Sequence, residues 1–286
     1  MRKMLLFSLV LLLPAALPAQ SMPPKPPKYL QIIREDVKVG KGAAHEKWES
    51  SWTQAMLRAK FTTPMLAMNA VAGPNEAIFI AGYESLGAYE ADMKLLDTPA
   101  MQAVMNQYGP GDADYISASR TQIALFREDL SYNTVIKLGE MRYFQVRTVR
   151  VRPGHDGEYA ELRKLINGAR QSANSPVHSA VFQVIAGAPN GTYLVFNPLK
   201  SLADADPVGS PAVMEALGSD GQAKLSDLAN KAIAFSEDTI YQFSPKMSNP
   251  SPQTVADDPG FWKPKPAAAT TATKTPAPGA KKEPKK

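Results

Sequence analysis

Tyr29 to Gly40 reads Y-L-Q-I-I-R-E-D-V-K-V-G, and Tyr143 to Gly154 reads Y-F-Q-V-R-T-V-R-V-R-P-G. Each stretch is rich in β-branched and aromatic residues and stops at a glycine, the pattern of a strand that runs into a turn. The likeness continues beyond the two strands. Trp48 aligns with Leu162, Trp52 with Ile166 and Gly73 with Gly187; one residue of drift then sets Ile78-Phe79-Ile80 against Tyr193-Leu194-Val195. Shared order with drifting spacing is what duplication followed by loop changes leaves behind.

Each copy predicts the same elements. After the strand, Trp48, Trp52, Ala55, Met56 and Ala59 recur at helical spacing, as do Tyr159, Leu162, Ile166 and Ala169. A hairpin follows, with G-P-N-E between Met65–Ala72 and Ala77–Tyr83, and G-A-P-N-G between Ala180–Ala186 and Thr192–Phe196. A second helical region begins near Leu86 and Leu202 and restarts at Thr98-Pro99 and Ser210-Pro211, where a hydroxyl residue precedes a first-turn proline. A last helix, near Asp112–Ala118 and Asp220–Ala234, leads into strands at Arg120–Phe126 and Glu237–Phe243. The fold class is therefore α+β: two tandem ferredoxin-like β-α-β-β-α-β units. One such sheet leaves a face bare, and a tandem copy covers it if the two pack sheet to sheet as one pseudo-twofold body.

The ends differ from this body. Arg2 and Lys3 precede an apolar run, Met4 to Leu13, that is too short to span a bilayer and suits an export signal cleaved near Ala19 to Ser21. The expected organisation is a signal at 1–21, a proline-rich spacer at 22–28, units at 29–132 and 133–249, and a disordered Pro/Ala/Lys-rich tail at 250–286. Periplasmic or secreted location follows, with no transmembrane helix in the mature chain. The chain has no cysteine, so disulfides and thiolate metal sites are excluded. The formal charge of +5 resides in the ends, and Tyr29 to Asn249 is net acidic. A nucleic-acid surface on the folded part is not expected. The lysines of the tail offer an anionic envelope component a partner, or simply keep a spacer soluble.

The passages V-R-P-G-H-D-G-E-Y-A-E-L (Val151–Leu162) and V-K-V-G-K-G-A-A-H-E-K-W (Val37–Trp48) give the chain a family resemblance. By these and by element order from Tyr29 to Asn249, it resembles the dimeric α/β-barrel superfamily, including antibiotic-biosynthesis-monooxygenase-like and NIPSNAP-like domains. The resemblance implies a pseudo-dimeric α/β barrel. It does not imply one activity, because the superfamily holds cofactor-free monooxygenases, haem enzymes, isomerases and members without known activity. No catalytic residue transfers.

Candidate residues are few. His45 and Glu49 are one helical turn apart and could orient an imidazole for acid–base work or metal ligation; the simpler reading is a solvated helix face. Their counterparts in the second copy are Tyr159 and Arg163. His155, with Asp156 and Glu158, reads as a helix start before a ligand cluster. His178 precedes a strand and could face a space between sheet and helix, where some relatives place a haem ligand. Trp48 and Trp52 read as core, or as the wall of a ligand pocket between the sheet and the helices of the first copy. No metal site and no cofactor is assigned. The reading is binding of a small apolar ligand, or an envelope-associated non-catalytic role; the alternative is a cofactor-independent monooxygenase-like enzyme.

Overall fold

The computed structural model describes residues 25–205 and 210–263. The expected export signal, residues 22–24 of the spacer and the lysine-rich end of the tail lie outside the described residues. The first copy supplies β1 (Tyr29–Val37), α1 (Gly42–Arg58), β2 (Met65–Ala72), β3 (Glu76–Tyr83), α2 (Leu86–Leu96), α3 (Pro99–Tyr108) and β4 (Ile116–Phe126). The second supplies β5 (Tyr143–Val151), α4 (Asp156–Ser172), β6 (Ala180–Ala186), β7 (Thr192–Leu199), α5 (Pro211–Ala232) and β8 (Ile233–Phe243).

The strands close into one antiparallel barrel in the order β1-β3-β2-β8-β5-β7-β6-β4. Each copy contributes the same four-strand order, β4-β1-β3-β2 and β8-β5-β7-β6, and the seams β2–β8 and β4–β6 join them. Closure pairs the sheet edges that separate copies would leave open. The pseudo-twofold is visible at the seams. Met68 pairs with Phe243 across one, and Phe182 pairs with Phe126 across the other. Gly73 and Gly187 hold matching positive φ values of 119° and 82°. A Cβ on Gly73 would lie 2.8 Å from Thr239, and one on Gly187 would lie 2.0 Å from the Thr121 carbonyl oxygen, so both seams need glycine.

Helices cover the outside and large apolar side chains fill the inside, among them Ile32, Met68, Val146, Leu194 and Phe243. The helix restarts at Pro99 and Pro211 fall where the sequence sets them, but neither Thr98 nor Ser210 makes the expected side-chain cap. G-S-D-G does act as a break: Gly218, at φ 63°, kinks α5.

Four expectations need correction. The helix expected near Asp112–Ala118 is a 3-10 turn at Gly109–Asp114, and β4 starts at Ile116; the prolines and glycines of G-P-G-D allow only a tight turn there. In the hairpins Ile32 pairs with Ile80 and Val146 with Phe196, so Ile80 corresponds to Phe196 and not to Val195. The tail does not leave the body at Pro250. Short helices α6 (Pro252–Asp257) and α7 (Pro259–Trp262) follow, and Trp262 is buried with its indole N–H donating to the Gly139 carbonyl at 2.9 Å. Two aromatics, Phe261 and Trp262, give this stretch the apolar area that its prolines and aspartates hide.

The last correction concerns the helix faces. The tryptophan stripe of α1 was expected to face the core, yet His45, Glu49, Thr53 and Ala55 are the buried residues. Trp48 and Trp52 instead pack sideways: Trp48 lies 5.1 Å from the Tyr108 ring and 5.4 Å from Tyr115, and Trp52 stacks on Tyr108. α4 is turned the same way, burying Tyr159, Arg163 and Ala169 while it packs along α5.

Candidate functional site

Alternate residues of a strand share a face, so Leu30, Ile32 and Arg34 of β1 all point into the barrel. Leu30 and Arg34 are about 13 Å apart along the strand and mark two different ends of the interior.

The Arg34 end is closed by ions. Arg34 donates to Glu76 at 2.8 Å, to the Tyr241 hydroxyl at 2.9 Å and to Gln122 at 3.2 Å. The Tyr241 hydroxyl donates in turn to Glu76, and Arg120 reaches the second Glu76 oxygen at 3.2 Å. Arg34, Glu76, Gln122 and Tyr241 are all buried. Burial raises the Tyr241 pKa, which keeps the hydroxyl a donor. No fully buried side-chain nitrogen or oxygen of these four residues lacks a partner.

The Leu30 end is open space. A cavity of about 460 Å³ has walls of Leu30, Leu66, Met68, Phe144, Phe182 and Phe196. Its mouth is built from segments outside the repeat. These are Pro26 and Pro27 of the spacer, Thr134 to Leu138 between the copies, and Thr254 and Asp257 of α6, with His178 beside them. Gly82 lets the spacer lie against β3, because a Cβ there would come 2.6 Å from Pro27. The volume falls inside the range of small-molecule pockets, and apolar walls with polar groups gathered at one end are their usual composition.

A second cluster lies outside the barrel, between β1 and α1. Glu35 points outward from β1, and His45 Nε2 sits 2.8 Å from its Oε2. Glu49, one turn along α1, completes a group whose ligand atoms all lie within 4.8 Å of one another. All three residues are buried, and His45 Nδ1 has no hydrogen-bond partner. Burial and the negative charges of Glu35 and Asp112 push the Glu49 carboxyl up to about 9. Asp112, on the 3-10 turn, accepts the Trp48 indole N–H at 2.9 Å; burial raises its pKa against that hydrogen bond.

The structure therefore brings His45 and Glu49 together and adds Glu35 to them, while Trp48 and Trp52 pack in a separate apolar cluster with Val104 and Tyr108. The solvated helix face expected for His45 and Glu49 is overturned, since His45 is only 1% exposed. His178 stands apart, at the mouth of the barrel cavity, where Nδ1 donates to the Asn133 carbonyl oxygen. Glu35 was missed. Its only signal is a carboxylate on the outward face of a strand where the second copy has Val149. The cavity walls carry no signal at all, because apolar strand residues read alike whether they meet each other or enclose space.

No protein-family model matches this chain, and no curated protein matches it. Solved structures do. An anthrone oxidase-like protein aligns over 76% of this chain and 92% of its own, with TM-score 0.49 and 10% identity. A variant chlorite dismutase from Candidatus Nitrospira defluvii aligns over 77% of this chain and 92% of its own, with TM-score 0.43 and 9% identity. A NIPSNAP-like domain protein from Burkholderia xenovorans covers 35% of this chain and 85% of its own, with TM-score 0.29 and 16% identity. The strand order in hand is the dimeric α/β barrel, built here from a single chain. At these identities the likeness brings no activity to this chain.

Proposed function

We propose that this chain is an exported binding protein that holds a small apolar ligand inside its barrel. The observation that carries the reading is the cavity of about 460 Å³ walled by leucine, methionine and phenylalanine. Empty apolar volume of that size costs stability, because the lining atoms forgo contacts they would otherwise make. A ligand restores them. The ion plug at the Arg34 end makes the barrel a blind tube, so entry is by the mouth near Pro27 and Ile136. Export is supported by Arg2, Lys3 and the apolar run Met4 to Leu13, and an envelope contact by the lysines that follow Lys263.

Native mass spectrometry of the protein purified from its own host tests the reading. One apolar molecule per chain, released by organic solvent, is the expected result. Protein that carries none, and takes none from a lipid extract of that host, contradicts it.

One observation favours a second reading, a cofactor-independent monooxygenase-like enzyme: the half-buried His178 imidazole sits where a bound ligand would meet it. Recovered ligand incubated with the protein in air decides between the two. A binding protein returns it unchanged, and an oxygenase returns it oxidised in a His178-dependent way.

A further inference from the structure

We propose that Glu35, His45 and Glu49 bind a divalent transition-metal cation between β1 and α1. The donor set is one imidazole nitrogen and two carboxylates, a combination that suits zinc, manganese or ferrous ions better than calcium or magnesium. Metal–ligand bonds of about 2.1 Å at tetrahedral angles put ligand atoms about 3.4 Å apart, so atoms already within 4.8 Å need little more than side-chain torsion to close.

Two independent observations point to a ligand. The first is the imidazole. His45 is enclosed, and while one ring nitrogen meets Glu35, the other meets nothing. Buried polar atoms are rarely left this way. The second is the convergence of the carboxylates: Glu35 from β1 and Glu49 from α1 are both buried, and each brings an oxygen within 4.8 Å of the imidazole. A divalent cation is the group that such a set of oxygens and nitrogen would hold.

In the second copy the position of Glu49 is satisfied from within the protein. There the second copy has Arg163, which donates to the Leu130 carbonyl at 3.2 Å and to Ser179 at 2.9 Å. At the position of His45 it has Tyr159, and at that of Glu35 it has Val149, both within an apolar cluster. At these three positions the second copy offers no ligand set. Half-buried Asp112 stands at the edge of the first-copy cluster, where a negative group draws cations toward it.

The test uses full-length protein stripped with chelator and titrated with Zn²⁺ by calorimetry, with circular dichroism to confirm folding. Glu49→Gln mimics a protonated carboxyl and keeps its shape, so this variant stays folded even if Glu35→Gln does not. One Zn²⁺ per chain is expected. Glu49→Gln and Glu35→Gln should each weaken binding by about a hundredfold, the upper end of what loss of a mere supporting group costs. His155→Gln, which alters the surface pair His155–Glu158, should leave it unchanged. No uptake by the stripped chain overturns the proposal. So does uptake that survives Glu49→Gln, or uptake that His155→Gln abolishes.

Discussion

The two copies share strand order and the length and orientation of the first helix, yet at one position one buries an acid and the other a base. Under α1 the chain hides Glu49, and under α4 it hides Arg163. The second copy resolves its charge with protein acceptors, a backbone carbonyl and a serine hydroxyl. The first copy instead sets Glu49 beside Glu35 and a histidine that has a partner on only one ring nitrogen. Duplication preserved the scaffold because the seams need it, while the space beneath each helix was free to diverge. A position that one copy satisfies internally and the other leaves open is a better pointer to chemistry than the residue type alone.

The barrel plug is equally lopsided, and breaking it should have the largest effect. The second-copy counterpart of Arg34 is Thr148, so the first copy carries the ion network with only Tyr241 contributed from β8. Glu76→Ala leaves buried Arg34 without an anion, while Arg120 keeps Asp36 at 3.1 Å. A loss of about 3–5 kcal/mol is expected in urea unfolding. A loss below 1 kcal/mol would show that water, not Glu76, balances the Arg34 charge.

Glu49 gives the next effect, in its dependence on pH. In metal-free protein its folded pKa is about 9 against 4.5 for the ordinary group. The native state therefore keeps a proton that the unfolded chain releases. Its contribution is full below about pH 4.5 and is lost as pH rises toward 9, by roughly 1 kcal/mol per pH unit. Glu49→Gln should flatten that slope and overtake the parent at alkaline pH. Parallel stability curves for the two proteins between pH 5 and 9 would contradict the burial argument.

Arg163→Ala probes the other half. It strands the Ser179 hydroxyl, while Asn167 still donates to the Leu130 carbonyl at 3.0 Å, and should cost about 2 kcal/mol, with no matching pH slope in this range. Trp48→Phe is the mildest change. It keeps most of the packing against Tyr108 and removes only the indole bond to Asp112, for about 1 kcal/mol by thermal unfolding.

Much of the fold was legible because its signals are local. Gly40 and Gly154 mark the first turns with φ of 79° and 84°, and Pro99 and Pro211 mark helix starts. The facing of two sheets followed from the need of one apolar sheet for another, and their closure into a barrel was implied by the family resemblance. What failed was the reading of faces. Trp48 and Trp52 form the most apolar stripe of α1, so periodicity turns them toward the sheet. The packing of α1 against α3 and the 3-10 turn claims that stripe instead, and leaves His45 and Glu49 underneath. The cluster was half visible, as an i,i+4 pair, but Glu35 reaches it from a strand that is distant in contacts though near in sequence. The cavity was invisible for a different reason. It is set by how far apart walls stand, and by spacer and α6 segments whose proline-rich composition reads as chain without a core.

One strand separates two sites: the apolar cavity on the inward face of β1, and the buried acid–histidine cluster on its outward face. Titration of an apolar fluorescent probe into full-length protein, Ala180→Trp and Glu49→Gln tests this most directly, because Ala180 lines the cavity and Glu49 does not. One probe per chain in the parent and in Glu49→Gln, with binding abolished by Ala180→Trp, is the predicted result. Equal binding in all three, or loss in Glu49→Gln alone, would contradict it.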